Sequence, residues 1–123
     1  MTFTVKEYSL NSEVRGESVT SAVKRLNADV TELDRLWVLD ENGIKAIGVL
    51  SLRHGKVIIK GVYGELDYAY LDLMRRALLN ACTLMNDITV RVDEVNEYWL
   101  KFGFREADGG MEILNRDIKF CNH

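Results

Sequence analysis

At 123 residues, with 47% apolar and 28% charged side chains, the chain is sized and balanced for one globular domain that buries a core without metals or disulfides. Its net charge of −3 gives it no general affinity for nucleic acid or for an anionic membrane. The longest mainly apolar stretch, residues 66–85, is interrupted by Asp67, Asp72, Arg75, Arg76 and Asn80, which excludes a membrane span, and the polar start Met-Thr-Phe-Thr-Val-Lys lacks a signal core, so a cytoplasmic location is expected.

Residues 2–8 set Phe3 and Val5 against Thr4 and Lys6, an alternation that predicts a strand. Residues 11–17 are polar and irregular. Ser18 is placed to cap a short helix whose one face holds Val19, Ala22, Val23, Leu26 and Val30. Residues 35–40 form a strand apolar on both faces, through Leu36, Trp37, Val38 and Leu39. Asn42-Gly43 is a strong hairpin signal and His54-Gly55 a second turn, so strands over 45–52 and 57–62 complete an antiparallel meander. The longest helix is expected over 67–85, with apolar residues recurring at three- and four-residue intervals from Tyr70 to Met85. A strand over 88–92, a helix over 94–101 ended by Gly103, and a strand over 111–114 that reaches at most Phe120 close the chain.

The order β-α-β-β-β-α-β-α-β predicts an α/β (α+β) fold with a mixed sheet. A crossover of the length of residues 67–85 joins parallel strands, so one parallel pair falls in the middle. Ligands in such sheets favour the carboxyl ends of parallel neighbours, which points to residues 61–67 and 93–96. Cys82 and Cys121 are expected as free thiols, with Cys82 a small buried hydrophobe, and no spacing resembles a metal site. Arg53, Lys56 and Lys60 make a modest basic patch along the meander. His54 and His123 have no evident partner.

Three strings resemble the GNAT superfamily of N-acetyltransferases. They are Asp40-Glu41-Asn42-Gly43-Ile44-Lys45-Ala46-Ile47-Gly48, Ile58-Ile59-Lys60-Gly61-Val62, and Trp99-Leu100-Lys101-Phe102-Gly103-Phe104. The resemblance runs over residues 35–114 and implies a single GNAT-like domain, 1–123, in which the parallel pair splays apart to admit acetyl-CoA. Pantetheine would then pair with the strand over 57–62, and the backbone of Gly61, Val62 and Tyr63 would help hold the cofactor and stabilise an oxyanion. The amides at Asp67, Tyr68 and Ala69 would hold the pyrophosphate at the start of the long helix.

The chain departs from that family's pattern. The phosphate loop of the family carries an arginine and two glycines, and the corresponding stretch here holds Leu66, Asp67 and residues 69–72, none of them glycine. Asp67 reads better as a helix cap, and Asp72 as a partner for Arg75 or Arg76. Trp99 stands where the family places its acid tyrosine, which leaves the adjacent Tyr98 as the candidate acid. The candidate bases are Glu65 and Asp93. Tyr63, Tyr68, Tyr70, Tyr98 and Trp99 crowd the expected site, either filling the splay or forming a partner pocket.

Three readings follow. The first is an acetyl-CoA-dependent N-acetyltransferase acting on a small-molecule or protein amine. The second is an inactive binding or regulatory module of the same fold, which takes a protein partner and no acetyl-CoA. The third is a different small α/β fold. Unpaired edge strands leave room for a homodimer.

Overall fold

Turn chemistry sets the front of the sheet. Asn42 and Gly43 both take positive φ (55° and 128°), as do His54 and Gly55 (53° and 73°). Paired positive φ gives hairpins whose twist matches that of the strands they join. They connect β4 (Arg35–Asp40), β5 (Ile44–Arg53) and β6 (Lys56–Tyr63) into the expected meander. The computed structural model describes residues 2–120. The expectations for Cys121 and His123 lie outside them.

β1 (Thr4–Tyr8) lies antiparallel to β4. A small hairpin follows, β2 (Glu13–Val14) with β3 (Glu17–Ser18), where the sequence suggested only an irregular stretch. Arg15 and Gly16 supply its turn, again with positive φ. Arg15 donates its Nε to Asp40 at 2.9 Å and so ties the hairpin to the end of β4. Ser18 caps α1 (Val19–Arg25), its side chain accepting from the Ser21 amide.

After β6 comes α2 (Tyr68–Thr83), then β7 (Thr89–Val92), α3 (Glu97–Leu100), β8 (Arg105–Ala107) and β9 (Gly110–Leu114). The seven-stranded sheet runs β1-β4-β5-β6-β7-β9-β8. β6 and β7 are its parallel pair, in register from Lys56–Thr89 to Ile59–Val92, and the other neighbours are antiparallel. The architecture is thus the mixed α/β (α+β) sheet that the crossover length predicts.

Alternate side chains of the central strands sort to two faces. Leu36, Val38, Ile47 and Val49 pack with Val19 and Ala22 of α1. Trp37 and Leu50 pack with Leu78, Leu79 and Cys82 of α2 and with Trp99, Phe102 and Phe104. Two covered faces explain why β4 is apolar on both sides. Gly48 lets α2 come close, since a Cβ there would stand 3.1 Å from Leu78. Cys82 is fully buried, and burial pushes its thiol up to about 12.

Three further elements differ from expectation. α3 starts at Glu97, because Asn96 is extended and caps it through the Tyr98 amide. β8 is an additional strand, turned into β9 by Asp108 and Gly109 at positive φ. The last strand stops at Leu114, because Asn115 opens a 3-10 turn. Asn115 is buried, donates Nδ2 to the carbonyls of Cys82, Met85 and Asn86, and accepts from the Ile88 amide. One side chain thereby closes the end of α2 and fixes the start of β7.

Candidate functional site

The site begins with a bulge. Leu50 pairs with Ile59 and Val49 with Gly61, which leaves Lys60 as an extra residue in β6. Bulges bend the strand that carries them. Gly61 sits at φ +153°, a backbone suited to glycine. The last pair between β6 and β7 is Ile59–Val92, immediately before the bulge. Beyond it β6 continues to Tyr63 on β5 alone, so its other edge faces open space.

That space is a cavity of about 280 Å³, lined by Ile59, Lys60, Gly61, Val62, Leu71, Arg75, Val92, Asp93, Glu94 and Trp99. Trp99, only 2% exposed, forms an apolar wall together with Leu71 and Val92. The Trp99 indole N–H donates to Glu94 at 2.8 Å. Asp93 accepts from Arg91 at 2.7 Å. The Lys60 side chain turns away to a buried pair with Asp34 at 3.0 Å, where the two side chains are 7% and 1% exposed. Burial pushes the Asp34 carboxyl up, but the bonds from the Thr31 amide, Lys60 and Ser51 outweigh it and hold the group below its ordinary value. Lys60 therefore leaves the basic patch suggested by the sequence. Lys56 leaves it too, for Glu112 at 2.7 Å.

Arg75 is the one cation lining the cavity whose guanidinium meets no carboxylate among the described residues. It lies instead 4.4 Å from the Tyr98 ring centre and 5.4 Å from that of Trp99.

The residues singled out in the sequence are only partly brought together. Gly61, Val62 and Asp93 line the cavity. Glu65 does not; it is exposed in a separate concavity with Arg25, Lys45 and Gly64. Tyr63 packs against the α1 face. Tyr98 is buried and donates its hydroxyl to Asp72 at 2.7 Å; burial first, then this bond, pushes the phenol well above its ordinary range. Asp72 also accepts from Arg76 at 2.9 Å. The expected crowd of aromatics disperses, because Tyr68 is exposed while Tyr70 meets Glu41 and the Phe3 ring.

At the start of α2, Asp67 caps the helix, accepting from the Tyr70 amide at 2.9 Å. Tyr68 and Ala69 complete the turn with exposed side chains, and no glycine opens a cradle there. A carboxylate already occupies the place where an anion would meet these amides. Gly64, just upstream, serves the fold. A Cβ there would stand 2.4 Å from the Lys45 carbonyl oxygen.

No protein-family model matches the chain, and neither does any curated protein. A solved structure does. A chain in the crystal structure of the KacTA-DNA complex superposes with a TM-score of 0.59 over 94% of this chain and 94% of its own length, at 12% identity. What the two share is the fold. This finding overturns the acetyl-CoA-dependent N-acetyltransferase expected from the sequence. The similar chain belongs to a complex with DNA, and the match carries no acetyl transfer with it. The capped helix start and the Tyr98 hydroxyl committed to Asp72 explain physically why the sequence reading fails. Among the described residues, no helix is long and apolar enough to cross a membrane.

Arg75 and Leu71 were not singled out as site residues from the sequence. They sit four positions apart and so share one face of α2, a face that registers as a site only once β6 and β7 are known to part beside it.

Proposed function

We propose that this chain is a partner-binding module whose parted strands receive an extended segment of another protein. The observation that carries this reading is the unpaired edge of β6 over residues 60–63, which faces a cavity with apolar walls. Such an edge presents backbone donors and acceptors to an incoming chain, and the pockets beside it select alternate side chains. Leu71 and Trp99 offer one such apolar surface.

The company kept by the similar solved chain, a complex, supports a role in an assembly. A protein fits better than nucleic acid as the direct partner of this chain, because Arg25, Arg35, Arg91 and Arg116 already hold carboxylates. The scaffold's likeness to the GNAT superfamily belongs to the same proposal, as kinship of fold.

The test is selection of a randomised eight-residue peptide display library on the full chain, with Leu71→Trp as the counter-screen. The added ring fills the cavity beside β6. Peptides enriched on the native chain should lose binding to Leu71→Trp at least tenfold while the melting temperature holds. Equal binding to both proteins, or no enrichment at all, would contradict the reading.

A further inference from the structure

We infer that Arg75 selects the partner segment by its charge, so that the strand added beside residues 60–63 carries an aspartate or glutamate facing α2. The inference rests on the strand-addition reading of the cleft and adds to it a chemical class of ligand.

Charge accounting around the cavity leads there. Each acid near it is engaged: Asp93 with Arg91 at 2.7 Å, Glu94 with the Trp99 indole at 2.8 Å, and Asp72 with both Tyr98 and Arg76. The cation Lys60 lines the same space but is spent on Asp34 and Asp29, at 3.0 and 3.3 Å. Arg75 remains. It is half-buried, projects from α2 across from Gly61 and Val62, and meets no carboxylate among the described residues.

Its guanidinium is nonetheless held in place. Its Cζ lies 4.4 Å from the Tyr98 ring centre and 5.4 Å from that of Trp99, and the hydroxyl of Tyr98 is fixed in turn by Asp72. A guanidinium drawn to the faces of aromatic rings, with no carboxylate on it, keeps N–H donors for a planar acceptor. A carboxylate matches two of them at once. An incoming strand would place alternate side chains toward α2, within reach of that fork. A basic side chain placed at that fork would meet a like charge, which disfavours it.

The same display library decides the matter, selected in parallel on the native chain, on Arg75→Gln and on Arg75→Lys. The native chain should enrich Asp or Glu at one fixed position among the selected peptides. Arg75→Gln should lose that enrichment while still selecting apolar residues at the flanking positions, and Arg75→Lys should keep the acid preference in weakened form. In calorimetry, replacing the selected acid by its amide should weaken binding to the native chain roughly tenfold to a hundredfold. The same replacement should change binding to Arg75→Gln little. Peptides enriched on the native chain without a fixed acid, or with the same acid on Arg75→Gln, would overturn the role of Arg75 and leave strand addition standing. A library that enriches nothing on any of the three proteins would overturn both. Thermal melts of the variants accompany the selections, since Arg75 also rests on the aromatic rings. Arg75→Lys keeps charge and bulk should Arg75→Gln melt early.

Discussion

Residues 56–59 and 60–63 belong to one strand yet have opposite surroundings. The first four pair with β5 on one side and with β7 on the other, and Val57, Ile58 and Ile59 are buried. Of the second four, Lys60 is the bulge and Gly61, Val62 and Tyr63 pair with β5 alone; all are only partly covered. Apolar residues occur in both halves, Val57, Ile58 and Ile59 in the first and Val62 and Tyr63 in the second. The difference comes from one inserted residue, Lys60, and from the buried carboxylate that receives its side chain. A sheet can thus open a binding edge at the cost of one bulge.

The largest expected effect falls on the open half. Asp34→Asn leaves the buried Lys60 ammonium with only the exposed Asp29 at 3.3 Å, and should cost about 3 kcal/mol in chemical denaturation. The same pair predicts a pH dependence. The Asp34 carboxyl is held below its ordinary value of 3.8, so the unfolded chain binds the proton more readily than the folded one. Its contribution is complete above 3.8 and is lost as pH falls below that value through the folded one. Acid titration of stability in the native chain and in Asp34→Asn should differ by that component, and matching acid slopes would break the account of the bulge.

Next comes the closed half. Asn115→Ala strips the end of α2 and the start of β7 of their shared bonds and should cost about 2 kcal/mol. It lies away from the cleft, so peptide binding should hold. Lost binding at full foldedness would show that the two halves are not independent.

Gly61→Ala sharpens the comparison. The added methyl meets only the Tyr63 ring, at an ordinary 3.5 Å, so the cost is that of the backbone at φ +153°, about 1–2 kcal/mol. Relief of that strain by straightening β6 should weaken peptide binding more than stability. At the small end, Arg116→Ala removes an exposed pair with Asp87 and should change stability by less than about 0.5 kcal/mol. A larger loss would mean that surface pairs matter here as much as the buried one.

Most of the fold was legible in the sequence, because its signals are local. Asn42-Gly43 and His54-Gly55 dictate hairpins, Ser18 and Asp67 cap their helices, and the length of α2 dictates a parallel crossover. Topology pointed to the carboxyl ends of the parallel pair, where Gly61, Val62 and Asp93 line the cavity, while the parting of the strands came only as an implication of the family resemblance. The cleft's chemistry was not legible. Lys60 pairs with a residue 26 positions away, and Asn115 reaches carbonyls about 30 positions back. No spacing announces either. At the start of α2 the capping reading of Asp67 competed with the family's phosphate loop, and Asp67 caps the helix. Asp72 was read as the partner of Arg75 or Arg76; Arg76 takes that bond, and the Arg75 guanidinium lines the cleft instead.

Hydrogen exchange of the full chain, with and without a peptide selected on it, tests the central claim most directly. Strand addition predicts new protection confined to residues 60–63, with residues 56–59, already paired on both sides, unchanged. Protection that appears elsewhere while residues 60–63 exchange as before would contradict it.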